Sequence, residues 1–402
     1  MSEYFIARQP IFDKNLAVYA YELLFRDSDR NAAPQDMDED AATAQVLTTS
    51  SDVGLRWLVG DRQAFINLPQ RFFEEPDLLP LPPDQLVLEI LETVEINETT
   101  LDGIATFKER GFCLALDDVV DFTPYEATLP HVEIIKLEIP LIDPDKWDAT
   151  VSDLTARGFK VLAEKVETNE EFEALAAAGC DYFQGYFFAK PKVVSGKKLG
   201  SNKIALLELL AKINDPSIDI DTLSELVSRD VALSIRVLNY VNSAANALNR
   251  RVESIREGVV YLGRDTIRNL VTVFTMGTVE DRPTELMTMA LLRARFCELV
   301  ALEQDRDDSA AYFTVGMFSV LDALMNASIE DVVGTLAVGP EMRAALVSRG
   351  GEKGQVLNIA VNLERGEFNV LLDAPLSAEK MASLHQQARE WADGIVADSG
   401  LG

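Results

Sequence analysis

Leu114-Ala115-Leu116-Asp117-Asp118-Val119-Val120 sets the reading of this 402-residue chain. Three apolar residues run directly into two adjacent carboxylates, the pattern of a short buried strand that delivers acidic groups to one rim of a sheet. The pattern recurs on either side. Phe65-Ile66-Asn67, Val87-Leu88-Glu89, Ile134-Ile135-Lys136, Val161-Leu162-Ala163-Glu164 and Tyr182-Phe183-Gln184 each run apolar and stop on a polar group. When such a sheet closes into a barrel, its strand ends converge on one rim, the usual place for chemistry.

Strand-like runs cover Ala64 to Leu68, Leu86 to Ile90, Phe112 to Leu116, Val132 to Leu137, Lys160 to Ala163 and Tyr182 to Phe187. Helical patterns cover Thr99 to Arg110, Trp147 to Arg157 and Asn169 to Ala178. Each is followed by a glycine (Gly111, Gly158, Gly179) suited to a left-handed C-cap. Upstream, Phe5 to Phe12 and Val18 to Phe25 read as a hairpin-like pair joined by Asp13-Lys14-Asn15, and Asp38 to Val59 reads as a helix. The opening pair brings the strands to eight, which predicts a TIM-like α/β barrel over a first domain of residues 1–195. That length is lean for the fold, so some crossovers must be short or irregular.

Pro191 to Asn202, rich in Pro, Gly, Ser and Lys, is the expected junction. Beyond it the pattern turns helical: Ile204 to Ile213, Thr222 to Ser228, Ala232 to Ser243, Ile255 to Leu262 and Thr266 to Met276. It continues through Glu285 to Leu302, Ala310 to Met325, Ile329 to Leu336, Pro340 to Ser348 and Val356 to Arg365. The expectation is an all-α second domain over 200–396, in keeping with a chain too long for one core.

Composition narrows the function. The chain is 48% apolar and 26% charged, as an ordinary globular protein is, and its formal charge of -29 argues against a broad nucleic-acid surface. No stretch is long and uncharged enough to cross a bilayer, and no basic start leads into an apolar run, so a cytoplasmic protein without a membrane partner is expected. Cys113, Cys180 and Cys297 share no CxxC spacing and read as reduced thiols. His131 and His385 are the only histidines, too few for a zinc site or a histidine triad.

Glu22, Asn67, Glu89, Asp117, Asp118, Lys136, Glu164 and Gln184 all fall in or just after strand-like runs. Taken singly, each could be a strand-end cap or a surface charge. Together, five carboxylates in one cavity could not all ionise without a cation. Mg²⁺ or Mn²⁺ would relieve them, because hard cations prefer oxygen ligands, with Asn67 and Gln184 carbonyls able to complete the shell. Two such ions would activate a water and stabilise phosphoryl charge, with Lys136 neutralising charge or orienting that water.

These residues carry a resemblance. The first half resembles the EAL family of bacterial cyclic-di-GMP phosphodiesterases over about residues 3 to 195. The family's Glu-x-Leu-x-Arg falls on Glu22, Leu24 and Arg26, its strand-end Asn on Asn67 and its Glu-x-x-Glu on Glu89 and Glu92. Its paired aspartates fall on Asp117 and Asp118, its lysine on Lys136, its Ala-Glu-Gly-Val-Glu on Ala163 to Glu167 and its Gln-Gly on Gln184 and Gly185. The resemblance implies that Glu22, Asn67, Glu89, Asp117 and Asp118 hold Mg²⁺ or Mn²⁺. Glu164 and Lys136 would serve the hydrolytic water, with Glu164 also counted among the metal-holding residues. Leu24, Arg26 and Gln184 would face the substrate, Glu92 and Glu167 would be supporting residues near the loop after Asp118, and the product would be linear pGpG.

Three departures accompany the match. The family's Asp-Asp-Phe-Gly-x-Gly is Asp117-Asp118-Val119-Val120-Asp121-Phe122 here, with Val120 and Phe122 in the glycine slots, which makes φ > 0 costly there. Lys-x-Asp becomes Lys136-Leu137-Glu138, and Lys165 takes the glycine slot of Ala-Glu-Gly-Val-Glu.

The second half resembles the HDOD domain, a non-catalytic relative of the HD phosphohydrolases, on Asp230 to Ser243 and Ile255 to Asn269. Ser319-Val320 stands where a catalytic relative would place His-Asp, which implies a partner-binding or output role. The order of domains is similar to the EAL–HDOD signalling proteins, the YuxH-like family. Two readings follow: a signalling protein whose barrel is weakly active or silent and whose HDOD domain contacts proteins, or an active Mg²⁺- or Mn²⁺-dependent cyclic-di-GMP phosphodiesterase. Altered loop and retained ligand set pull in opposite directions, and a purely structural role is the third alternative.

Overall fold

The structure is a computed structural model that describes residues 4–27, 55–79, 81–117, 122–189, 201–215, 217–242, 252–277, 279, 283–336 and 338–399. The chain divides into two compact units, Met1–Lys190 with Glu364–Phe368, and Pro191–Leu363 with Asn369–Gly402.

The first unit is a closed barrel of eight strands. They are β1 (Tyr4–Asp13), β2 (Val18–Asp27), β3 (Gln63–Leu68), β4 (Leu86–Ile90), β5 (Cys113–Leu116), β6 (Ile134–Glu138), β7 (Lys160–Glu164) and β8 (Tyr182–Gln184). From β2 to β8 neighbours run parallel; β1 runs antiparallel to both β2 and β8. The antiparallel start follows from the tight turn after β1, where the Asp13 carboxylate accepts hydrogen bonds from the Asn15 and Ala17 N–H groups at 2.8 and 2.9 Å. Buried on both faces, β4 is apolar except at Glu89, as strands of a covered parallel sheet are.

One residue from each of seven strands builds the barrel's interior layer: Ile11, Ala20, Phe65, Val87, Ala115, Ile134 and Leu162, with Tyr182 of β8 packed against it. Side chains alternate faces along a strand, so the residue two further on points to the same interior. Two residues beyond Ala20, Phe65, Val87, Ala115, Ile134, Leu162 and Tyr182 stand Glu22, Asn67, Glu89, Asp117, Lys136, Glu164 and Gln184. The polar groups are therefore one pleat above the apolar layer.

Between strands run the helices Glu98–Glu109, Trp147–Ala156 and Asn169–Ala178. The first opens on Asn97, whose side chain accepts from Thr100 N–H, and the last on a Thr168–Glu171 capping box. Of the expected helix from Asp38 to Val59, Leu55–Val59 is helical and the rest lies outside the described residues. The last strand is shorter than expected. It stops at Gln184 because Gly185, at φ 145°, turns the chain against Val166, whose carbonyl oxygen would lie 2.1 Å from any Cβ there.

The second unit is helical. Its helices are Ser201–Ile213, Ile220–Ser228, Val231–Val241, Ile255–Leu262, Arg264–Met276, Thr284–Glu303, Ser309–Phe318, Leu321–Met325, Ile329–Leu336, Pro340–Ser348, Gly351–Glu364 and Ala378–Ser399. The run expected as one helix from Ala310 to Met325 is two, broken at Ser319. The Ser319 hydroxyl donates to the Gly316 carbonyl at 2.7 Å and accepts from Arg293 at 3.1 Å, so it competes with the helical ladder. Ala378–Ser399 is a helix that the sequence reading does not anticipate. Among the described residues no helix is long and apolar enough to cross a membrane.

Candidate active site

Lys136 is the centre of the polar layer. Its Nζ lies 2.8 Å from Asp117 Oδ1, 2.9 Å from Glu89 Oε2, 2.9 Å from Glu164 Oε1 and 3.9 Å from Glu22 Oε1. Four strands thus send carboxylates to the ammonium of a fifth. Lys136 is 1% exposed and Glu89 0%, so these charges are sheltered from water and interact strongly. Burial alone would depress the lysine, but the surrounding carboxylates outweigh it and raise its pKa well above the usual value. Burial, reinforced by the other acids, raises Glu89 well above the carboxylate range despite Lys136. The same causes push Glu164 up to about 8.

On the β8 side, the Gln184 amide donates to Glu22 Oε2 at 2.6 Å and to Gln9 Oε1 at 3.1 Å. Gln9 is the residue that sequence reading misses. It pairs with Glu22 across the antiparallel ladder, and alternation from Ile11 would have placed it on the interior face. A cavity of about 680 Å³ opens above the layer, walled by Gln9, Glu22, Leu24, Asp117, Glu164 and Gln184 with Lys136 below.

The remaining expected site residues distribute as follows. Asn67 pairs in register with Glu89, and Leu24 lines the cavity. Glu167 is exposed, lines the cavity and has its N–H held by Glu171. Glu92 is exposed and joins neither the cluster nor the cavity wall; its carbonyl accepts from the Tyr125 hydroxyl at 3.0 Å. Asp118, Val120 and the Arg26 side chain lie outside the described residues.

Among the described residues no three His, Cys, Asp or Glu side chains form a ready-made metal cage, and the Lys136 ammonium stands among the acids. The donor chemistry nevertheless suits a hard cation. Glu89 Oε1 and Gln184 Oε1 are buried oxygens with no hydrogen-bond donor, and a buried acceptor left so is costly.

Two of the departures from the family pattern meet at the rim. Glu138 pairs in register with Glu164, and its carboxylate lies 2.6 Å from Lys165 Nζ. Lys165 holds φ 55°, in the left-handed region where glycine is cheap and a side chain costs roughly 1–2 kcal/mol. With the Lys165 side chain more than half exposed, its ion pair to the less exposed Glu138 contributes about 1 kcal/mol, which at best offsets that strain. Phe122, in a family glycine slot, behaves differently. Its φ is -77°, an ordinary right-handed conformation, so replacing glycine there strains nothing.

Residues 3–191 match the EAL domain and residues 201–333 the HDOD domain. The chain is 33% identical over 400 residues to cyclic di-GMP phosphodiesterase CdgJ of Vibrio cholerae, covering 97% of this chain and 93% of the relative. It is 29% identical over 403 residues to YuxH of Bacillus subtilis, covering 98% of each. Among solved structures, a calcium complex of Klebsiella pneumoniae BlrP1 with cyclic-di-GMP matches 47% of this chain and 55% of that one, at 25% identity and a TM-score of 0.38. With an EAL domain followed by an HDOD domain, and nearly the whole length aligned to a relative at a third identity, the chain belongs to the EAL–HDOD family of signalling proteins.

Proposed function

We propose that the barrel is a metal-dependent phosphodiesterase that opens cyclic-di-GMP to linear pGpG. The observation that carries this reading is the buried layer of Glu22, Glu89, Asp117 and Glu164 around Lys136 beneath a cavity of ligand size. The resemblance of the whole chain to a relative named for that activity supports it over a silent barrel. So does Phe122, whose relaxed backbone removes part of the reason to expect a damaged loop.

Glu22, Asn67, Glu89 and Asp117, with Asp118, are the residues that would hold Mg²⁺ or Mn²⁺. The bound ion would supply Lewis acidity to water and to the phosphoryl oxygens. Glu164 is suited to take the proton of the attacking water, because its carboxyl lines the cavity and a bound cation beside it would favour the ionised, proton-accepting form. Lys136 holds Glu164 in place at 2.9 Å and balances the negative layer. Gln184 fixes Glu22 through its amide. In the reaction the water oxygen bonds to one phosphorus of the cyclic diester. The ribose oxygen opposite leaves and takes a proton, which opens the ring.

The helical unit keeps no His-Asp pair at Ser319-Val320, and we assign it contacts with protein partners rather than hydrolysis.

The test is to incubate the purified chain with cyclic-di-GMP and Mg²⁺ or Mn²⁺ and follow pGpG by chromatography. Product should form with metal, vanish with EDTA and vanish in E22A and E164Q. Folded wild-type protein that makes no pGpG with either ion would overturn the reading.

A further inference from the structure

We propose that Lys165 is a phosphate contact for the dinucleotide, kept at the lip of the cavity by Glu138 until the ligand arrives. This inference rests on the phosphodiesterase reading above. Three observations carry it. First, Lys165 lines the cavity and is more than half exposed, unlike Lys136, which is enclosed by carboxylates beneath it. Second, its backbone is held left-handed at φ 55°, a conformation that favours glycine, and strain of this kind concentrates at functional sites. Third, its partner Glu138 lies on the same strand face as Lys136, two residues on, and beside Glu164 in register. Glu138 therefore adds another carboxylate to a rim that must admit an anion, and Lys165 neutralises it.

A lysine that serves the ligand must exchange Glu138 for a phosphate oxygen. Lysine suits this exchange, being a compact charge on a flexible stem. The carboxylate then competes with the ligand, and this sets the role apart from a clamp that merely braces the turn at Lys165.

The experiment is calorimetric titration of the full chain with cyclic-di-GMP in Ca²⁺, with chromatography to verify that the ligand stays intact. K165G should bind about tenfold more weakly, and K165R within about threefold of wild type. E138Q should bind more tightly, and its gain should shrink in the K165G background, as coupled residues behave. K165N, an uncharged residue that tolerates the left-handed region, should repeat the K165G loss and guards against a folding defect in one variant. Ca²⁺ affinity measured without the dinucleotide should be the same in K165G and wild type. Undiminished binding by K165G and K165N overturns the proposal, and so does weaker binding by E138Q, the result a structural clamp gives. A wild-type chain that binds Ca²⁺ but no dinucleotide overturns the phosphodiesterase reading itself, and this inference with it.

Discussion

Glu164 shows how placement changes what a residue can do. Burial keeps its carboxyl protonated in the folded chain up to about pH 8, where an ordinary glutamate titrates at 4.5. Glu89 is pushed the same way. Across that window the folded state holds protons that the unfolded state has released, so stability falls as pH rises from about 4.5 to about 8. In divalent-free buffer the Tm should drop over this range, and E164Q, whose amide does not titrate, should flatten the drop. A drop as steep in E164Q as in wild type would contradict the assignment. At this scale the sequence was informative where residue type and strand position coincide: Glu89, Asp117, Lys136, Glu164 and Gln184 each follow an apolar run, and Glu22 stands as a carboxylate inside one. It was silent where the information is a dihedral angle. Loss of glycine at 122 and at 165 looks alike in letters, yet Phe122 is relaxed and Lys165 is left-handed.

Strand ends hold the site together, and the β7–β8 crossover shows how closely. Val166 N–H donates to the Gln184 carbonyl at 3.0 Å, and Phe187 N–H donates to the Val166 carbonyl at 3.2 Å, with Gly185 threaded between. A methyl group there would collide with Val166 backbone, and φ 145° is itself unsuited to a side chain. Gly185→Ala should therefore cost about 1–3 kcal/mol or more and displace Gln184 from Glu22. Thermal denaturation checks the first effect; a Tm equal to wild type would contradict it. The eight strands are legible because apolar runs of their length end in polar residues. Two elements are not legible, for opposite reasons. The break at Ser319 falls inside an unbroken apolar run, where one hydroxyl decides. The helix Ala378–Ser399 buries Met381, Ala382, Leu384, Ala388, Ala392 and Ile395, and alanine contrasts too weakly with its neighbours to mark a face. Gln9 is hidden by direction: in the antiparallel β1 the rim lies toward the start of the strand.

Charge acts over the whole molecule. At -29 the chain repels an anionic dinucleotide, so association should quicken as salt screens that field. Raising ionic strength from about 20 to about 200 mM should increase kon, with stopped-flow fluorescence of a labelled ligand as the measure. A kon that falls with salt would place a dominant basic surface near the site and contradict this account. The same excess of acid favours divalent cations, and the activity proposed for the barrel depends on the polar layer accepting one. Crystals soaked in Mn²⁺ test that directly through an anomalous difference map at the manganese edge. The account predicts a peak at the β-strand ends among Glu22, Asn67, Glu89 and Asp117. A map without a peak there, from crystals whose carboxylates are ordered and whose soak contains millimolar Mn²⁺ at about pH 8, would contradict it.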